Sequence, residues 1–385
     1  MGSTAVVVGG GIGGLAAAIG LRRIGWDVTV VERACELADE GAGISLAANG
    51  VRALDELGVG QAVRDASRGQ YTGGTRTPKG GWLTRMDGAV LEKAVGTPIL
   101  GIPRSTLHRL LCEALPAAAL LIGSEAGAVR QVGPSTVRVD CGDTVLDADL
   151  VVAADGIGSK VRSFLFPAHP GPVRSGSSVL RAITEQAVEL RTDFELTWGR
   201  GAEFGHIAFR DGRAEWHAVL NLPAGTRFAD PLTELRRRFR DWHDPIPMLL
   251  QATRPAAVLH HDVAEIRTPL PSYTTGRIAL LGDAAHAMTP NLGQGACQAL
   301  EDAITLTAAL AAEPTVEAAL ARYDHERRPR SQAVARAARQ AGRMGQQLSH
   351  PLAVALRNTT MRLTPSGAAA RMILRHHSWV PPQLS

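Results

Sequence analysis

The chain has 385 residues, 45% hydrophobic and 20% charged, with a formal net charge of +4, which fits two or three globular domains with ample core and leaves out disordered and fibrous classes. The cations are scattered arginines with only Lys79, Lys93 and Lys160 beside them; there is no basic run for nucleic acid and no 18-residue apolar stretch for a membrane span. Cys35, Cys112, Cys141 and Cys297 lie far apart without metal-ligand spacing and read as free thiols, and the first residues lack a signal peptide's basic start, so a cytoplasmic protein is expected.

The first predicted element is a buried parallel strand, Ala5 to Val8, which runs into Gly9-Gly10-Gly11-Ile12-Gly13-Gly14. A helix follows over Leu15 to Arg23, Gly25 ends it, and Asp27 to Val31 forms a second strand closed by Glu32 and Arg33. Gly9, Gly11 and Gly14 carry the G-x-G-x-x-G spacing between strand and helix, and Glu32 stands where a dinucleotide fold places its ribose-binding acid, about twenty residues on. Gly9 permits the turn, Gly11 lets backbone approach a pyrophosphate, and Gly14 lets helix and strand pack. The helix N-terminus favours the phosphate charge. NAD and FAD both satisfy this stretch.

"GAGISLAANG", residues 41 to 50, reads as a glycine-rich loop before a helix from Val51 to Leu57. Arg104 to Leu111 is a short helix, and Leu120 to Ile122 is an apolar run. Val129 to Val132, Thr136 to Val139 and Val145 to Ala148 form a meander before a buried strand, Leu150 to Ala153. That strand delivers Asp155-Gly156 at its carboxyl end, where open α/β sheets bind ligands. Alone, an ordinary turn explains the pair equally well. Ser159 is placed to cap the next helix, and Arg162 to meet a phosphate or carboxylate.

"ELTWG", "EFGHIAF" and "RAEWHAVLN" then read as antiparallel strands, and residues 231 to 242 as an amphipathic helix. The strand Ile278 to Leu281 delivers Gly282-Asp283. Asp283 is placed to accept hydrogen bonds from a polyol, Pro290 fixes the loop, and Gly293-Gln294-Gly295 brings bare backbone close to a flat ligand. The long helix that follows stabilises an anion at its N-terminus. His286 has no Ser or Cys partner for nucleophilic work. From Thr315 the chain is mostly helical. Residues 349 to 377 read as an amphipathic element that packs on the core or lies on a membrane surface, core packing being preferred.

Together these three sites resemble the group A flavoprotein monooxygenases, the para-hydroxybenzoate hydroxylase-like FAD enzymes. The match spans nearly the whole chain and is nearest the salicylate, 3-hydroxybenzoate and urate hydroxylase branch, without the thioredoxin-like extension of longer phenol hydroxylases. The resemblance implies an α/β fold. A discontinuous Rossmann-like FAD-binding domain (1–72, 98–172, 275–330) is interrupted by an antiparallel β-sheet substrate domain (73–97, 173–274), with a helical segment at 331–385. It implies that Gly9, Gly11, Gly13, Gly14, Glu32, Arg33, Arg104, Val129, Asp155, Gly156, Asp283, Pro290, Gly293, Gln294 and Gly295 bind FAD, non-covalently. NADH or NADPH and molecular oxygen are the implied co-substrates, and a C4a-hydroperoxyflavin is the agent that hydroxylates an aromatic or polycyclic small molecule. Epoxidation of a non-aromatic intermediate is the alternative. A monomer or homodimer is expected.

The substrate pocket is expected at the hairpin around Asp211-Gly212. A two-residue turn pairs His206 with His217 and Ile207 with Trp216. Alternation then puts Ile207, Phe209 and Trp216 on one face, and His206, His217 and Glu215 on the other. The preferred reading packs Trp216 in the core and leaves the two histidines as a surface pair; the alternative is that His206 or His217 orients a phenol, with Trp216 and Pro290 as further candidates.

Overall fold

The computed structural model describes residues 2–37, 42–365 and 374–384. It is a mixed α/β fold built on two large sheets. The first has six strands in the order Thr274–Thr275, Ile278–Leu280, Leu150–Ala153, Thr4–Val8, Asp27–Glu32, Leu120–Ile122. The inner four run parallel with Leu120–Ile122, and only the edge strand Thr274–Thr275 is antiparallel. Ala5 to Val8, Leu150 to Ala153 and Ile278 to Leu280 are β-branched or aliphatic and buried, as strands covered on both faces must be. The register aligns Val8 with Ala153 and Ala153 with Leu280. The glycine cluster, Asp155 and Gly282-Asp283 therefore leave the same carboxyl edge side by side.

The helix Ile12–Arg23 covers this sheet, and Gly295–Ala312 packs against that helix. Gly20 permits their close approach: a Cβ there would meet the Thr307 hydroxyl at 2.3 Å. The predicted meander is present as Val129–Gln131, Val137–Cys141 and Thr144–Ala148.

The second sheet has seven strands in the order Leu259–Glu265, Val173–Ile183, Ala214–Asn221, Ala202–Ala208, Phe194–Trp198, Thr72–Arg76, Trp82–Asp87. The helices Pro231–Phe239 and Ile246–Gln251 cover one face and enclose a core of Phe204, Trp216, Leu235, Phe239 and Leu249. Phe204 stacks on Trp216 at 5.6 Å, with Phe239 edge-on at 5.2 Å. The other face packs on a small sheet, Gly43–Leu46, Ile99–Pro103 and Arg68–Gln70. There Gly43 lies against Glu215, and Gly101 against Ile207, so closely that a Cβ would sit 2.6 and 2.8 Å away.

Three expectations are corrected. Residues 43–46 are a strand, paired with Ile99–Pro103 far along the chain, not a loop; Gly41 lies outside the described residues. The hairpin turn holds three residues, not two. Phe209 N–H donates to the Arg213 carbonyl and Gly212 adopts φ +81°, as in a turn closed by a left-handed glycine. Every pair consequently slips by one: Ile207 faces Glu215, His206 faces Trp216, and Gly205 faces His217. His206 and Trp216 therefore share the helix-covered face, while Ile207, Glu215 and His217 share the face turned to the small sheet.

The 349–377 element contains a helix, Pro351–Leu363; residues 366–373 of it lie outside the described residues. Arg357 turns inward, donating to the Met344 and Gly345 carbonyls. Among the described residues no helix is long and apolar enough to cross a membrane.

Candidate functional site

Gly9 takes φ +110°, and a Cβ there would strike the Ala154 carbonyl oxygen at 2.4 Å. Gly14 lies over the Gly9 carbonyl oxygen, 2.0 Å from where its Cβ would be. Gly13 is a packing glycine too, pressed against Leu281 and Ala299. Gly11, by contrast, faces open space, as do Gly156, Gly293 and Gly295. Glu32 accepts from the Gly10 N–H at 2.7 Å and the Ala34 N–H at 2.9 Å, which fixes its carboxylate and leaves lone pairs for a further donor. His108 holds the Gly10 carbonyl at 2.7 Å. Arg33 is exposed just past the strand. Val129 is buried in the core with its backbone paired to Val139.

Asp155 accepts from the Val161 N–H with one oxygen, while its other oxygen is buried without a partner among the described residues. Ser159 caps the next helix, accepting from Arg162 N–H at 2.9 Å. The Arg162 guanidinium does not wait for a ligand's phosphate. It is buried and donates to the carbonyls of Ala284 and Ile157, tying the Asp155 and Asp283 loops together. Asp283 opens the turn Asp283–His286 after Gly282, whose φ +62°, ψ −136° suits glycine alone. Its carboxyl is open to solvent yet crowded by protein. That desolvation raises its pKa against the pull of His286, Arg104 and Arg162.

The long helix carries two adjacent buried acids that the sequence reading missed. Asp302 accepts from the Gly282 N–H at 2.9 Å, from His286 at 2.6 Å and from Arg327 at 2.7 Å. Burial alone would raise its pKa, but His286 and Arg327 bring it below the ordinary value. Glu301 accepts from Asn49 at 2.7 Å, from Arg330 and from Arg327. Asn49 in turn donates to the Gln294 side chain at 2.9 Å. One arginine thus braces both glycine loops at the head of this helix. The available signal was Glu301-Asp302 in the middle of an apolar helix, since acids are seldom fully buried unless paired. Pro290 is exposed at the start of the turn Pro290–Leu292. Cys297 lies fully buried below the loop, and burial pushes its thiol up to about 12.

On the inward face of the second sheet, Glu215 accepts from His217 at 3.2 Å. Glu203 accepts from the Trp198 indole at 2.6 Å, and its other oxygen faces His217 across 3.9 Å. Gly205 makes room for this imidazole: a Cβ there would be 2.4 Å from its Nε2. Burial lowers the His217 pKa, but Glu215 and Glu203 more than offset it, and the net shift is upward. Burial raises Glu203 against the pull of His217 and Trp198. His206 and Trp216 lie on the opposite face, where the Trp216 indole donates to Thr253 at 2.8 Å.

A profile described as FAD binding domain matches residues 3–338. The chain belongs to that family. Its relatives identify it further as an FAD-dependent monooxygenase of the para-hydroxybenzoate hydroxylase-like group. The monooxygenase is 35% identical to aurachin C monooxygenase/isomerase of Stigmatella aurantiaca over 383 residues, 99% of each chain. It is 34% identical to 2-heptyl-3-hydroxy-4(1H)-quinolone synthase of Pseudomonas aeruginosa over 387 residues, 96% of each. Klebsiella pneumoniae HpxO complexed with FAD and uric acid superposes with a TM-score of 0.91 at 25% identity, covering 97% of this chain and 96% of that one. The residues of the monooxygenase fit FAD. Bare backbone at Gly11, Gly293 and Gly295 borders open space, and Asp155 Oδ1 and Gln294 Nε2 are buried without a hydrogen-bond partner among the described residues.

Proposed function

We propose that the monooxygenase inserts one atom of O2 into an electron-rich, nitrogen-containing aromatic ring of the 4(1H)-quinolone class, with NADH or NADPH as electron donor. FAD, when bound, supplies the electron transfer and the activation of oxygen. The quinolone class is supported by a relative that names it and aligns over 96% of both chains. Residues 1–72, 98–172 and 275–330 hold FAD in this reading, 73–97 and 173–274 hold the substrate, and 331–385 pack beside them. Gly9, Gly11 and Gly14 shape the turn for the pyrophosphate, Glu32 takes the adenosine ribose, and Asp283 the ribityl chain. Gly293 to Gly295 face the flavin ring from the helix N-terminus. Asp155 contributes its free oxygen, and Arg104 lies close enough to Asp283 to act on its charge.

The observation that carries the substrate reading is the Glu215–His217–Glu203 array, with Ile207 and Leu196 on the same face and Arg181 paired beside His217. The 3.9 Å between His217 and Glu203 is too long for a direct hydrogen bond. The 4-hydroxyquinoline tautomer of such a ring, seated with its oxygen between them, accepts from the imidazole and gives its proton to Glu203. That transfer raises the ring's electron density, which electrophilic oxygenation requires. A buried carboxylate with a raised pKa suits this task. We assign the role to His217 and Glu203 and not to His206 or Trp216, which face the other way.

The experiment measures NAD(P)H oxidation stimulated by 4(1H)-quinolones, salicylates, simple phenols and purines on the FAD-loaded protein. Quinolones should stimulate most. His217→Gln should lower that stimulation by at least about tenfold while His206→Gln leaves it near wild type. Stimulation by another class alone, or equal loss in both variants, contradicts the assignment.

A further inference from the structure

We propose that the helix Pro351–Leu363 is a docking surface for an anionic lipid bilayer. Leu352, Leu356 and Leu363 are 76%, 70% and 76% exposed. At 100° per residue they fall within about 40° of one another, a single ridge along the helix. The opposite side binds the protein: Arg357 is buried on the Met344 and Gly345 carbonyls, and Ala353, Val354 and Met361 are half-buried. Three leucines at the outward pole of an otherwise docked helix are an unusual solvent-facing surface.

The charge around the ridge names its partner. Ten of the 41 cations and none of the 37 acids lie in residues 327–385; Arg327, Arg328, Arg330 and Arg339 pair with carboxylates from outside this segment and Arg357 is buried, which leaves Arg336, Arg343, Arg362 and Arg375 exposed among the described residues. Arg362 is exposed at the C-terminal end of the ridge helix, and Arg343 is exposed in the last turn of the helix before it. Arg200 donates to the Ser349 carbonyl just before it. Arg362 lies beside the Thr77–Gly81 turn that carries the exposed Lys79. The strand beneath, Trp82–Asp87, has one carboxylate, Asp87, and that caps the next helix. An apolar ridge flanked by arginines is the surface that inserts into the headgroup boundary of an anionic membrane. A second copy is a poorer occupant, because a two-fold contact would set this arginine-rich face against itself. The ridge is also tied to the substrate face: the Arg357 guanidinium reaches the Trp198 carbonyl at 3.5 Å, and the Trp198 indole donates to Glu203. Docking would place that face beside a reservoir of apolar substrate.

The test is sedimentation of the full-length FAD-loaded protein with phosphatidylcholine vesicles, with and without phosphatidylglycerol. The protein should pellet with the anionic vesicles and stay in solution with the neutral ones. Combined Leu352→Ser, Leu356→Ser and Leu363→Ser should weaken partitioning by at least about tenfold, with flavin absorbance and Tm unchanged. Arg343→Gln with Arg362→Gln should weaken it less. Wild-type protein that stays in solution with anionic vesicles overturns the proposal, as does a triple leucine variant that pellets equally well. A dimer seen by light scattering that the leucine substitutions dissociate would assign the ridge to a second copy instead. None of these readouts depends on the substrate.

Discussion

His206 is held neutral. Its ring nitrogen faces the Thr192 carbonyl at 3.2 Å and hydroxyl at 3.3 Å. Burial is the main cause that takes its pKa from 6.5 to about 4, with the Thr192 carbonyl opposing. In the unfolded chain the imidazole takes up a proton near its ordinary value, and in the folded one it does not until about 4. The stability it permits is therefore present above pH 6.5 and is lost as pH falls towards 4. The loss amounts to about 3 kcal/mol. His206→Gln removes this linkage. Urea unfolding at a series of pH values should show the gap between wild type and variant narrowing by that amount on acidification; parallel curves would contradict it. One position of register separates this residue from His217, which lies among carboxylates and shifts the opposite way. Gly205 is what admits the His217 ring, and no other residue type leaves that space.

The helix Gly295–Ala312 does more than present its N-terminus. Glu301 and Asp302 hold Asn49, Gln294, Gly282 and His286, and Arg327 neutralises both acids from the facing helix Val316–Met344. Arg327→Met leaves two buried carboxylates facing an apolar group. We expect a loss of about 3–5 kcal/mol of stability together with weaker FAD retention, read by denaturation and by flavin absorbance after gel filtration. A variant as stable as wild type would show that the acids are protonated or hydrated and that the brace is dispensable. The strand–glycine–helix unit was legible because its periodicity is local: Ala5 to Val8, the glycines and Glu32 fall within one stretch of chain. The Asp155 and Asp283 edges were legible because each follows a buried strand. What escaped reading depends on distant pairing. The strands Val173–Ile183 and Leu259–Glu265 pair across about 80 residues of chain, and Gly43–Leu46 pairs with Ile99–Pro103. The hairpin register turned on a third turn residue, Arg210, and slipping by one exchanged the faces of Trp216 and Glu215. The Arg327 brace joins residues from three parts of the sequence and has no local pattern to betray it.

At the scale of the whole molecule, two sheets meet across the small sheet of Gly43–Leu46, Ile99–Pro103 and Arg68–Gln70. One ends in three aligned ligand loops. The other turns the face that carries Glu203, Glu215 and His217 toward that small sheet. FAD binding is common to the family, and we propose that the residues that select a substrate are Glu203, Glu215, His217 and their neighbours on the second face. The reaction we propose for this arrangement is transfer of one oxygen atom from O2 to the ring of a 4(1H)-quinolone. The direct measurement is mass spectrometry of the product formed from a 2-alkyl-4(1H)-quinolone, NAD(P)H and isotopically labelled O2 by the FAD-loaded protein. The account predicts a hydroxylated quinolone carrying one labelled oxygen. No oxygenated product, or a product whose new oxygen comes from water, would contradict it.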